Sequence, residues 1–85
     1  MNTNNGKPRL PNAEEAKRID PIIREEFKKE GVESVSLSFT SIGGLRAVAA
    51  VTPEQQERLT SALFAHGIIL VKIYGRDSWG FAVRG

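Results

Sequence analysis

Cysteine is absent from this chain of 85 residues, and His66 is its single histidine. The lack of cysteine excludes a disulfide scaffold and thiolate chemistry, and a lone histidine excludes the usual His/Cys zinc sites. We therefore expect no metal and no cofactor. A reducing, cytoplasmic compartment is compatible with this composition.

Long apolar runs are missing as well. No stretch reaches the roughly 18 apolar residues that indicate a membrane helix. The start of the chain, MNTNNGKPRLPN, lacks the apolar segment of a signal peptide. The sequence therefore predicts a protein that does not enter the membrane and that stays in the cytoplasm.

Patterns typical of catalysis are scarce. Neither Gly43-Gly44 nor residues 75–80 match a phosphate-binding loop. The acidic pair Glu25-Glu26 stands beside basic residues on a predicted helix, which favours solvated ion pairs over glycosidase-type carboxylates. His66 falls in the last turn of a predicted helix, where the helix dipole favours a partial positive charge. We expect a protein that is not an enzyme.

The composition that is present suits one small domain, with 40% hydrophobic and 26% charged residues. Residues 1–10 are polar and rich in asparagine, which predicts a disordered arm. Residues 11–85 are expected to form a single α+β domain.

The first predicted helix begins with a capping box, Asn12-Ala13-Glu14-Glu15, and ends at Gly31. Ile19, Ile22, Ile23 and Phe27 recur at helical spacing, so this helix should be amphipathic. Pro21 lies in its middle and predicts either a kink or two consecutive helices.

Two strands and a second helix follow. The segment ESVSLSFTS alternates strictly, with Leu37 and Phe39 on one side, and LRAVAAV returns after Gly43-Gly44. Thr52-Pro53-Glu54-Gln55 forms another capping box before a helix that runs to His66. The segments IILVKIY and WGFAVR complete the order α-β-β-α-β-β.

A shift of 36 positions superimposes the two halves of the domain, about 12–51 and 52–85, without a gap. Gly31 then falls on Gly67, and Gly44 falls on Gly80. Either an ancient duplication or a shared hydrophobic pattern explains the match. Both origins predict a two-layer sandwich in which a four-stranded antiparallel sheet carries two helices on one face, a permuted ferredoxin-like fold.

In this topology the strand over 68–74 lies at a sheet edge. The predicted register turns Val71 and Ile73 inward and Leu70 and Tyr74 outward, so the edge is apolar on both faces and only Lys72 protects it. We expect this edge to pair with a second copy, giving a homodimer, or with a strand of a partner protein.

The outer face of the sheet and the loop GRDSWG are the predicted binding surfaces. Trp79 shares its side of the strand with Phe81 and is expected to point toward the helices. The residues predicted to contact a protein partner are Arg46, Leu70, Lys72, Tyr74, Arg76, Asp77 and Arg84.

These observations predict a small protein-binding module, a regulator or inhibitor that occupies the surface of a partner. Accessory proteins of mobile elements often have this character. The alternative is a nucleic-acid binder whose affinity falls steeply with salt. That alternative uses the basic residues Lys7, Arg9, Arg46, Lys72, Arg76 and Arg84.

Overall fold

The computed structural model describes residues 7–32, 34–73, 75 and 77–84. In this part of the chain, the protein is a small α+β domain with two helices and an antiparallel sheet of five strands. The elements are β1 (Pro8–Arg9), α1 (Ala13–Lys29), β2 (Ser36–Thr40), β3 (Gly44–Val48), α2 (Pro53–Ala65), β4 (Ile68–Lys72) and β5 (Ser78–Arg84).

Helix α1 begins at the predicted capping box. The Asn12 side chain accepts a hydrogen bond from the Glu15 amide at 2.8 Å, and the Glu15 carboxylate accepts one from the Asn12 amide at 3.0 Å. Pro21 lies inside one continuous helix rather than between two. The apolar face continues past it through fully buried Ile19, Ile23 and Phe27, and its burial offsets the hydrogen bond that proline cannot donate.

Helix α2 is built in the same way. Thr52 and Gln55 form the second capping box, with distances of 3.1 and 2.8 Å. Leu59 and Leu63 are fully buried. Gly67 follows the helix with φ of +78°, the left-handed conformation that commonly ends a helix.

The sheet has a fifth strand that the sequence did not predict. Strand β3 lies between β2 and β5, and β4 pairs with the other edge of β5. Strand β1 pairs with the end of β5, so that Pro8 lies opposite Arg84 and Arg9 opposite Val83. The expectation of disorder for residues 1–10 is therefore wrong for Pro8 and Arg9, while residues 1–6 lie outside the described part. Because β5 extends beyond its pairing with β3, its end offers free backbone groups that β1 satisfies.

The predicted register of β4 is wrong. Ile68 lies opposite Val83, Leu70 opposite Phe81, and Lys72 opposite Trp79, and directly opposed residues share a face of the sheet. Leu70 therefore lies on the helix side, where it packs against the core, and Val71 lies on the outer face. The strand begins directly after Gly67 with a fully buried Ile68, and this connection sets which residues face inward.

Both helices cover one face of the sheet, and a single core lies between the two layers. Phe27 of α1 meets Phe81 of β5 edge to face, with ring centroids 6.5 Å apart. Trp79 is 1% exposed, as predicted, and its indole Nε1–H donates to the Ala49 carbonyl at 2.9 Å. The opposite face of the sheet carries no helix in the described residues and is called the outer face below.

Candidate functional site

The outer face contains a row of residues that crosses four strands. Ser38 of β2 lies opposite Arg46 of β3, Arg46 opposite Gly80 of β5, and Gly80 opposite Val71 of β4. Antiparallel pairing fixes these neighbours, because opposed residues point to the same side of a sheet. The row therefore brings one cation, one apolar side chain and a residue without a side chain onto a single surface.

Gly80 forms the floor of a shallow depression in this row. The depression has a volume of about 200 Å³ and is bordered by Leu10, Ile42, Val71 and Ile73, with Arg46 at one side. A side chain at position 80 would start from a Cβ already 3.4 Å from the Ile73 methyl carbon Cγ2. Glycine at this position thus keeps the centre of the outer face open.

The apolar side chains around the depression are unusually exposed. Ile42 is 89% exposed, Leu10 55% and Val71 43%, and Val48, further along the outer face on β3, is 58% exposed. Of the large hydrophobic residues that are exposed in the described part, only Phe64 lies on the helix side, on α2. A contiguous set of exposed apolar side chains is typical of an interaction surface, whereas single ones are common on any protein.

Leu10 belongs to this surface because β1 positions it. Its side chain lies over the backbone of Gly44, whose own Cβ would stand 3.1 Å from the Leu10 Cδ2 atom. Gly44 also has φ of +73°, a conformation that other residues rarely adopt. A larger residue at position 44 would therefore displace Leu10 from the outer face.

An ion pair holds β1 to the start of α1. The Arg9 guanidinium donates two hydrogen bonds to the Glu15 carboxylate, one of them at 2.7 Å. These bonds, together with the one from the Asn12 amide, lower the pKa of Glu15 to about 2. The same contact raises the pKa of Arg9. Glu15 thus caps the helix and also fixes the segment that presents Leu10.

Arg46 lies beside the turn between β2 and β3. Its Nε–H donates to the Gly43 carbonyl at 3.4 Å, and the Gly43 amide donates to the Thr40 hydroxyl at 2.8 Å. The ion pairs found within residues 7–32, 34–73, 75 and 77–84 do not include Arg46. Its charge is therefore available beside the apolar depression for an anionic group of another molecule.

The other basic residues predicted to bind a partner lie elsewhere. The Lys72 ammonium lies on the helix side, 5.5 Å from the centre of the Trp79 ring. The Arg84 guanidinium lies 4.5 Å from the centre of the Phe64 ring. Arg84 lies four positions along β5 from Gly80, the neighbour of Arg46, which is a distance of about 13 Å along a strand. The structure thus does not bring Arg46, Lys72 and Arg84 together.

Of the remaining predicted residues, Asp77 is exposed and its backbone carbonyl accepts a hydrogen bond from the Ala49 amide at 2.9 Å. Tyr74 and Arg76 lie outside the described residues. Leu70, as noted above, packs against the core instead of facing outward.

Four residues of the depression were not predicted from the sequence to belong to a binding surface. Leu10 was assigned to a disordered arm, Val71 and Ile73 were assigned to the core, and Ile42 was treated as part of a turn. One signal was available for Ile42, because a large aliphatic residue between Ser41 and Gly43 does not suit a solvent-exposed turn. No local signal marks Leu10, since its position depends on the pairing of β1 with the distant strand β5.

His66 and the acidic residues near it form no metal site. His66 caps α2, and its Nε2 lies 3.3 Å from a carboxylate oxygen of Glu26. The described residues contain no group of three or more His, Asp or Glu side chains that could hold a metal ion. In the same part of the chain, neither helix is long and apolar enough to cross a membrane.

No protein-family model, curated protein or solved structure matches this chain. The function proposed below therefore rests on the geometry of the outer face.

Proposed function

We propose that this protein is a binding module that docks onto another protein through the outer face of its sheet. The observation that carries the proposal is the clustering of exposed Leu10, Ile42 and Val71 around the depression above Gly80. Hot spots of protein interfaces are a few side chains that fill such depressions, while the contacts around them exclude water. A regulator or inhibitor that occupies the surface of its partner would act in this way.

The partner surface should combine an apolar protrusion with an acidic residue. The depression would accept the apolar side chain, and Arg46 at its border would pair with the carboxylate. A charge at the border of an apolar contact contributes mainly to orientation and to the rate of association. The face therefore favours a protein with an apolar centre and an acidic rim.

Nucleic acid is the less favoured ligand. Binding to phosphates requires several cations along one path, whereas Arg46, Lys72 and Arg84 point to different parts of the surface. The permuted ferredoxin-like topology, which we retain as a hypothesis for the strand order, would leave the same sheet face open to either ligand.

The test compares capture by face variants with capture by a matched control. Ile42→Lys and Val71→Lys each place a charge beside the depression. Ala65→Lys adds the same charge at an exposed position of α2. Proteins captured from a lysate of the source cells by each immobilised variant are quantified by mass spectrometry.

We expect that the wild type and Ala65→Lys both capture at least one protein that Ile42→Lys and Val71→Lys do not capture. This protein should also be retained in 0.5 M salt. Arg46→Glu should weaken capture of the same protein, whereas Arg18→Glu, on the surface of α1, should not. Equal capture by the face variants and the control would refute the proposal. Binding to DNA or RNA that falls steeply with salt would support the alternative instead.

A further inference from the structure

We infer that the free edge of β2 is a self-pairing interface, through which two copies of this chain join their sheets antiparallel about a two-fold axis at Ser38. This inference is independent of the docking surface proposed above, because it concerns the edge of the sheet and the groove below α1.

In the part of the chain that the structure describes, nothing protects the edge of β2 against pairing. Within the described residues β2 pairs with β3 alone. Residues 34–45 contain neither a charged residue nor proline. Native proteins usually protect such an edge with lysine, proline or a covering segment. The edge formed by β4, which was predicted to pair with a second copy or with a strand of a partner protein, carries Lys72 and packs closely under α2.

The core is open next to this edge. A groove of about 370 Å³ lies between α1 and β2. Leu37, Phe39, Leu45 and Ala16 form its apolar wall. Leu37 and Phe39 are only partly buried although they face the helices. A strand added beside β2 would place its own inward side chains in this groove and so extend the core.

The sequence of β2 is complementary to itself in the antiparallel direction. An axis at Ser38 sets Leu37 against Phe39 of the second copy on the helix side, and Ser36 against Thr40 on the outer side. Apolar residues thus meet apolar residues, and hydroxyl groups meet hydroxyl groups. Because β2 contains no charged residue, pairing of two copies neither buries a charge of this strand nor places like charges of the two strands side by side.

The border of the groove is complementary in charge as well. Lys17 and Asp20 lie one turn apart on α1, and both border the groove. A two-fold axis that reverses the direction of β2 also reverses the direction of α1. Lys17 of each copy would then lie toward Asp20 of the other copy, where it would join the ion pair that Asp20 already forms with Arg24 at 2.7 Å, and this pairing would occur twice by symmetry. A second copy of this chain therefore fits both the apolar and the charged parts of the edge.

The absence of cysteine permits a direct test of the register in the full chain. Opposed residues in an antiparallel pair have Cα atoms about 4.5–5.5 Å apart, which lies within the range for a disulfide. In Ser38→Cys two thiols would face each other across the axis. In Thr40→Cys the two thiols would stand four residues out of register, about 13 Å apart.

With oxidised glutathione as the oxidant, Ser38→Cys should form a covalent dimer at least ten times faster than Thr40→Cys. Light scattering should give a mass twice that of the 9.3 kDa chain for the wild type at high concentration. Lys17→Glu should raise the dissociation constant of this dimer several-fold, because it sets two carboxylates against each other. Arg18→Glu, next to it on the same helix, should leave the constant unchanged.

Three outcomes would overturn the inference. A wild-type chain that stays monomeric at all concentrations would leave the edge for a different occupant. Equal cross-linking of Ser38→Cys and Thr40→Cys would show that the register about Ser38 is wrong. A dimer that neither cross-links through position 38 nor responds to Lys17→Glu would place the interface elsewhere, for example at β4.

Discussion

The two halves of the domain, α1-β2-β3 and α2-β4-β5, bury the same equivalent positions of their helices. With the shift of 36 positions, Ile23 corresponds to Leu59 and Phe27 to Leu63, and all four side chains are fully buried. The second strands also agree, since Leu45 and Phe81 both face the core. Equivalent helices and strands with one apolar face give equivalent core positions.

The first strands of the two halves differ. In the second half, β4 begins at Ile68, directly after the helix cap. In the first half, the equivalent Val32 is also buried, but β2 begins four residues later, at Ser36. Helix α2 therefore lies closely on β4, whereas a groove stays open between α1 and β2. A difference in the length of the connection between helix and strand therefore leaves a groove in the first half and none between α2 and β4 in the described part of the second half.

The largest expected effect on stability is at Trp79, which is a large and buried side chain. The equivalent residue of the first half, Gly43, has no side chain. Trp79→Ala should lower the free energy of unfolding by about 3–5 kcal/mol, since it empties a large buried site and leaves the Ala49 carbonyl without its donor. Urea denaturation followed by circular dichroism measures this loss. Trp79→Phe should cost less, because it removes the donor but fills most of the site. An alanine variant of unchanged stability that had lost partner binding would assign Trp79 to an interface.

A smaller difference in the free energy of unfolding is expected between variants of the two edge strands, β4 and β2. Ile68→Ala should cost about 2–5 kcal/mol, as for other fully buried aliphatic residues. Leu37→Ala should cost about 1 kcal/mol in dilute solution, because Leu37 is only partly buried and less apolar surface returns to water. Urea denaturation at low protein concentration compares the two variants. Equal losses would mean that the groove beside β2 is closed in solution.

The two capping boxes should contribute about equally. Asn12→Ala and Thr52→Ala should each lower the free energy of unfolding by about 1 kcal/mol, the usual value for the loss of an N-cap side chain. Thermal denaturation of the two variants, with the exposed Ser61→Ala as a control for α2, provides the measurement. A loss of stability at only one cap would show that the two capping boxes do not contribute alike.

The smallest expected effect is the pH dependence of the two capping boxes, because Glu15 titrates and Gln55, which has the same place in the second capping box, does not. The pKa of Glu15 is lowered to about 2 in the folded chain, chiefly by hydrogen bonds from Arg9. Its ordinary value is about 4.3. The stabilising contribution of the ionised Glu15 carboxylate is therefore complete above its ordinary pKa and is lost as the pH falls through about 2.

The melting temperature of the wild type, measured from pH 6 to pH 2, should therefore fall further than that of Glu15→Gln. Gln55→Glu provides the converse, because it introduces a titrating cap in the second half without an arginine partner. If wild type and Glu15→Gln lost stability in parallel over this range, the contact between Arg9 and Glu15 would contribute nothing in solution.

Local features could be predicted wherever neighbouring residues settle the outcome. Asn12 with Glu15 and Thr52 with Gln55 identified the helix starts, since a capping box is completed within one turn. The alternation of Leu37 and Phe39 identified the inward face of β2. Trp79 was placed correctly because it alternates with Phe81 along one strand. Each of these predictions needs only the few residues around it.

The candidate site could be predicted only in part, because it is assembled from distant segments. Arg46 was assigned to the outer face correctly, but Leu70 was assigned to the wrong side of β4. The error arose because the gapless match of the two halves transferred the register of β2 to β4. Leu10 was missed because its position requires the pairing of β1 with β5, some 75 residues further along the chain.

The sequence by itself determined the two helices, their caps, four of the five strand-forming segments and the side of the sheet on which Trp79 is buried. The reason is that capping and hydrophobic periodicity act over a few residues. Only the tertiary structure decided that Gly80 opens a depression between Leu10, Ile42 and Val71, that Arg46 lies at its border, and that within the described residues β2 has an unpaired edge beside an open groove. Those features depend on strand register and on long-range pairing, in which a slip of one residue exchanges the two faces of a strand.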